Sequence, residues 1–142
     1  MAVEERRAWI MLVSAVGAYA VYAAVVLAHR PGVSLVRVSY VPALLWTVGG
    51  AVAVQVVLTI AAGVLVPCGE RAKDRRDREI HRFGEYVGQS FVVAGAVAAL
   101  VLAMAGADRF WIANAIYLAF VLSAVLGAGT KLTAYRLGFH PW

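Results

Sequence analysis

The sequence predicts an all-α integral membrane protein, a four-helix bundle of two helical hairpins with both termini in the cytoplasm. Three observations carry that expectation. Four windows, residues 8–28, 38–67, 86–107 and 110–130, contain no Asp, Glu, Lys or Arg. Each reaches the roughly 20 residues that cross a hydrocarbon core of about 30 Å at about 1.5 Å rise per residue. Of the 142 residues, 63% are hydrophobic and 15% charged, whereas an ordinary soluble domain carries about 25% charged residues. The charge is also gathered into one dense block, residues 70–82, which reads E-R-A-K-D-R-R-D-R-E-I-H-R. Four helices apolar on every face exceed what a core of this size buries in water, so one four-span membrane domain over 1–142 is the expected organisation.

In chain order, residues 1–7 mix Glu4 and Glu5 with Arg6 and Arg7. The first span, 8–28, is longer than the 7–15-residue apolar region of a cleaved signal peptide, so a retained signal-anchor is expected. It stops at His29-Arg30-Pro31-Gly32, a polar and helix-breaking sequence, and residues 33–40 read as an interfacial segment. The second span, about 40–66, opens with Pro42, which a helix tolerates in its first turn because no N–H is needed there. It ends at Pro67-Cys68-Gly69.

The charged block then reads as a helix over 70–83, with no Gly or Pro between Glu70 and Gly84. Opposite charges fall at i,i+4: Lys73 with Asp77, Asp74 with Arg78, Arg75 with Glu79. Such pairs contribute a few tenths of a kcal/mol each, so the helix is expected as an extension of the third span, with Ile80, Phe83 and Val87 on one side. That span, 86–107, reverses at Gly106-Ala107-Asp108-Arg109 into the fourth, 110–130, which opens with Phe110-Trp111. The tail, 131–142, sets Tyr135, Phe139 and Trp142 beside Lys131 and Arg136, a mixture suited to headgroup-level anchoring.

Orientation follows from the basic residues. Arg6, Arg7, Arg71, Lys73, Arg75, Arg76, Arg78, Arg82, Lys131 and Arg136 would share one side, against Arg30, Arg37 and Arg109 on the other. Ten against three places the termini and the central block in the cytoplasm under the positive-inside rule. The net charge of +5 is then read as attraction to the anionic cytoplasmic leaflet, about 1 kcal/mol per nearby basic residue, with no direct nucleic-acid contact implied. Because Glu70, Asp74, Asp77, Glu79 and Glu85 offset most of the block's positive charge, it suits a protein partner better than a purely polybasic lipid anchor would.

The spans carry little chemistry. A proton-coupled transporter exchanges its proton at an ionisable group within the membrane, and the four windows have none. The histidines His29, His81 and His140 lie outside the spans, where they cannot ligate a buried haem, and a lone cysteine, Cys68, rules out an internal disulfide or a cysteine-rich metal cluster. No nucleophile–base pair or phosphate-binding glycine loop appears, so no enzyme activity, cofactor or metal is expected. The deepest polar residues are Gln55 in the second span and Asn114 in the fourth. They read either as interhelical hydrogen bonds or as the lining of an intramembrane polar path. Small residues recur every four positions at Ala20-Ala24-Ala28, Gly84-Gly88, Ser90-Ala94-Ala98 and Ser123-Gly127, a spacing that lets helix backbones approach closely.

The run Lys73-Asp74-Arg75-Arg76-Asp77-Arg78-Glu79-Ile80 resembles that of an uncharacterised prokaryotic family of small four-span membrane proteins. That family carries a D-E-R-D-x-x-I sequence in the loop between its second and third spans. Asp74, Arg76, Asp77 and Ile80 match it, and Arg75 stands where the usual Glu would be. The closing Tyr135-Arg136-x-Gly138-Phe139 is similar to the end of related actinobacterial chains, and eleven Arg to two Lys agrees with a GC-rich bacterial genome. The resemblance implies a fold and a topology, with no activity to transfer. The expected function is non-enzymatic: a bacterial inner-membrane protein, a membrane-tethered regulator or immunity-type receptor, whose charged helix docks a cytosolic protein through Lys73, Asp74, Arg76, Asp77 and Ile80. The alternative is a small transporter or channel subunit working as a homo-oligomer, with Gln55 and Asn114 along its path.

Overall fold

The computed structural model describes residues 3–28, 40–65 and 75–137. They form four helices: α1 (Val3–Ala28), α2 (Tyr40–Leu65), α3 (Arg75–Met104) and α4 (Arg109–Leu137). All four are long and apolar enough to cross a membrane, the make-up of a multi-pass membrane protein. The expectations placed on the interfacial segment 33–39, on Cys68, Lys73 and Asp74, and on Phe139 and Trp142 lie outside the described residues.

Two elements run further than the apolar windows suggest. α3 takes in the charged stretch from Arg75 without a break, and α4 continues past Thr130 and through Lys131 to Leu137. The expected tail at 131 therefore begins as two more turns of helix. A charged residue ends an apolar run in the sequence, yet it does not end the helix, because the Lys131 stem packs against Gly84 and its ammonium group is bonded to Glu85.

The α3–α4 turn is closed by its backbone. Gly106 has φ of +70°, a conformation that costs an L side chain about 1–2 kcal/mol and costs glycine nothing. Gly106 N donates to Ala103 O at 3.1 Å and Ala107 N to Leu102 O at 2.9 Å. These two bonds satisfy the last carbonyls of α3 in a Schellman motif. Asp108 then opens α4, its carbonyl accepting from Trp111 N at 3.0 Å.

α1 packs on both α2 and α4, and α3 packs chiefly on α4, so α1 and α4 are central and α2 and α3 flank them. Contacts such as Gly84 with Gly127 and Tyr22 with Asn114 show that α4 runs antiparallel to both α3 and α1. The Val3 end of α1, the Leu65 end of α2, the Arg75 end of α3 and the Leu137 end of α4 thus lie at one end of the bundle, called here the charged end.

The opposite half is held by aromatic rings. Tyr22, Val26, Phe110 and Tyr117 form the buried cluster, with Tyr19, Tyr40 and Leu44 packed on it. Tyr22 and Tyr117 meet edge-on with centroids 5.0 Å apart, and Tyr40 meets Phe110 at 5.1 Å, the geometry that the ring quadrupoles favour. The outward surface is also apolar: Val13, Val57, Ile60, Val93, Val97 and Leu100 are all exposed.

Candidate functional site

The charged end is built on a seam of small residues. Gly84 and Gly88 of α3 face Gly127 and Ser123 of α4, so close that a methyl built on Gly84 would sit 2.9 Å from the Gly127 carbonyl. A methyl on Gly88 would sit 3.0 Å from Ser123 O, and one on Gly95 would overlap the Ala119 side chain. The Gly84-Gly88 and Ser123-Gly127 spacings therefore serve contact within the chain. The other two ridges do not: Ala20, Ala24 and Ala28 of α1 and Ser90, Ala94 and Ala98 of α3 face outward.

Above this seam three contacts tie the extensions of α3 and α4 together. Lys131 Nζ donates to Glu85 Oε1 at 2.6 Å. The Tyr135 hydroxyl donates to Asp77 Oδ1 at 3.1 Å. Ile80, at 1% exposure, is the largest fully buried side chain among the described residues. The Lys131 side chain is 11% exposed and that of Glu85 59%, so solvent screening holds the pair to about 1 kcal/mol despite its short distance. α1 joins the same end through Arg136, which lies 3.7 Å from Glu5 and 5.7 Å above the Trp9 ring.

The expected docking residues divide accordingly. Lys73 and Asp74 fall outside the described residues. Asp77, half-buried, accepts from Tyr135, whereas Ile80 is sealed in the chain's own core and presents no surface to a partner. Arg76 is exposed, with Arg75, Arg78 and Arg82 beside it. Of the expected i,i+4 pairs, Arg75 Nε meets Glu79 Oε1 at 3.4 Å, a surface pair. Among the described residues no three His, Cys, Asp or Glu side chains converge. The chemistry on display at this end is ion pairing and hydrogen bonding.

Gln55 and Asn114 are not brought together. The Tyr22 hydroxyl donates to Asn114 Oδ1 at 2.9 Å, and Asn114 Nδ2 donates to Phe110 O at 2.8 Å. Asn114 thereby bridges α1 and α4 inside the aromatic half. Gln55 lies deeper, where Ser14 Oγ approaches its Oε1 at 3.3 Å across α1 and α2. Gln55 and Ser14 also line a cavity of about 440 Å³ between α1, α2 and α4.

Sequence reasoning places Lys131 and Tyr135 in a headgroup anchor and Glu85 in the charged block, and misses the Lys131–Glu85 and Tyr135–Asp77 contacts. In an antiparallel hairpin, residues nearly equidistant from the turn meet. Glu85 and Lys131, and likewise Asp77 and Tyr135, bracket Gly106-Ala107 in that way. That spacing was the signal available.

Comparison with protein-family models, with curated proteins and with solved structures returned no match.

Proposed function

We propose that this chain is a non-enzymatic protein of the bacterial inner membrane, with both termini cytoplasmic, whose charged α3 extension docks the acidic surface of a cytosolic protein. One observation carries the reading. Arg75, Arg76, Arg78 and Arg82 are exposed on a helix whose other face is fixed to α4 by Ile80, Asp77 and Gly84. A cationic ridge held rigid before binding loses little side-chain and backbone freedom when a partner arrives, and Arg is well suited to bidentate carboxylate contacts.

Supporting the location, the exposed flanks of the helices are apolar over an extent that a water-soluble monomer does not carry. Supporting the orientation, ten of the thirteen basic residues in the sequence belong to the charged end or to the segments that join it. The described part of the D-E-R-D-like run, from Arg75 to Ile80, lies at this end, with Asp77 bonded to Tyr135, Ile80 buried and Arg76 exposed.

The test compares proteins cross-linked in membranes to the native chain and to an Arg76→Gln/Arg78→Gln/Arg82→Gln variant. A partner recovered with the native chain and depleted about tenfold with the variant supports docking. An identical set of cross-linked proteins contradicts it. A transporter or channel subunit acting as an oligomer is the second reading, and the cavity beside Gln55 favours it. Protein-dependent solute flux in liposomes would decide for that reading.

A further inference from the structure

Gln55 has a side-chain donor that the described residues do not use. Ser14 is the one hydrogen-bonding neighbour of the Gln55 side chain among the described residues, at 3.3 Å, and the single Ser14 proton is shared with Met11 O at 3.1 Å. Whichever way the amide is turned, Ser14 takes at most one of its two N–H groups. At least one N–H is therefore left on a side chain that lines the cavity of about 440 Å³. Tyr117, in the same wall, is 7% exposed, and its buried hydroxyl has no hydrogen-bond partner among the described residues. Unsatisfied donors in hydrocarbon cost several kcal/mol each. The remaining wall is apolar, with Phe120 and Val52 at an exposed rim.

We propose that this cavity binds a neutral, membrane-dissolved molecule whose apolar ring carries a carbonyl group, the chemistry of an isoprenoid quinone. The cavity volume lies within the roughly 300–1,000 Å³ of small-molecule sites, which pair apolar walls with a few placed polar groups. Tyr117 and Phe120 supply aromatic surface for a planar ring, and the unspent Gln55 N–H supplies the bond that orients it. Depth selects among carbonyl compounds. Gln55 lies about 4 Å from the midpoint of α2, whereas phospholipid ester carbonyls sit at the edge of the hydrocarbon, about 15 Å from its centre. A ring that dissolves in the bilayer interior reaches Gln55, and an anchored ester does not. The site rests on the helices crossing a bilayer and is independent of any partner at the charged end.

The experiment uses the full chain in lipid nanodiscs, titrated with a decyl-substituted benzoquinone. Decylcyclohexane serves as a carbonyl-free control, and native mass spectrometry monitors retained phospholipid. Saturable quinone binding above empty nanodiscs is expected, with no saturable binding of decylcyclohexane. Gln55→Leu should weaken binding about five- to tenfold, the effect of one hydrogen bond made away from water. Thr59 is exposed, donates to the Gln55 backbone carbonyl and lies outside the cavity wall, so Thr59→Ala should bind within about twofold of the native chain. Ala51→Phe should block binding by filling the cavity. Circular dichroism and melting would establish that each variant is folded. The proposal is overturned by quinone partitioning no better than into empty nanodiscs, by Gln55→Leu binding unchanged, or by Thr59→Ala losing as much as Gln55→Leu. It is equally overturned by stoichiometric phospholipid that quinone does not displace. Recovery of the chain as a soluble monomer without detergent would instead remove the membrane reading beneath it.

Discussion

At the scale of single residues, the protein separates glycines that permit contact from glycines that touch nothing. A side chain at Gly84 would meet the Lys131 stem and the Gly127 carbonyl, while a Cβ at Gly17 has nothing within 4 Å. Gly84→Leu should therefore destabilise the chain by about 1–3 kcal/mol through overpacking. Gly17→Ala should be neutral or stabilising by up to about 1 kcal/mol through helix propensity. Denaturant titration in mixed micelles reads both, and equal effects at the two sites would contradict the seam. The Tyr22–Asn114 bond offers a second check. Tyr22→Phe keeps the ring packing and removes one interhelical bond, so a loss of about 0.6–1 kcal/mol is expected; no loss would mean that the bond contributes nothing net.

Among elements, α3 and α4 behave as one unit whose charged extensions are fastened side by side. The Lys131–Glu85 pair is the part of that fastening a double-mutant cycle can isolate. Lys131→Met, Glu85→Gln and the double variant should give a coupling of about 1 kcal/mol, limited by the 59% exposure of the Glu85 side chain. Additive effects would show that the ammonium and carboxylate act independently. The elements themselves were legible because length and absence of charge suffice to mark a helix able to cross a membrane. The turn was legible because Gly106-Ala107-Asp108-Arg109 is a strong reversal signal. The Gly84-Gly88 and Ser123-Gly127 ridges were legible as close-approach surfaces, although spacing alone did not pair them with each other. Lys131 was misplaced because a charge at the end of an apolar run reads as a tail. Its neutralising partner lies 46 residues away, and only the hairpin geometry brings the two together.

For the whole molecule, the polar chemistry is sorted by depth. Ion pairs and exposed arginines occupy the charged end, the Ser14–Gln55 pair and its cavity lie near the middle, and the aromatic cluster with Asn114 holds the far half. The site residues were harder to read than the fold for a physical reason. Ile80 and Asp77 look like surface determinants within a charged run, and only α4 packing against them turns them inward. Gln55 looks like an ordinary helix–helix bond until the cavity beside it leaves a donor unspent. Every functional reading depends on four helices crossing a bilayer, and the docking surface depends also on the charged end facing the cytoplasm. The most direct test is labelling of single cysteines by a membrane-impermeant maleimide, in a Cys68→Ser background, with Arg78→Cys marking the charged end and Asp108→Cys the opposite one. Labelling of Asp108→Cys in intact cells, with Arg78→Cys labelled only after permeabilisation, is expected. Labelling of Arg78→Cys in intact cells would contradict the orientation and the docking surface with it.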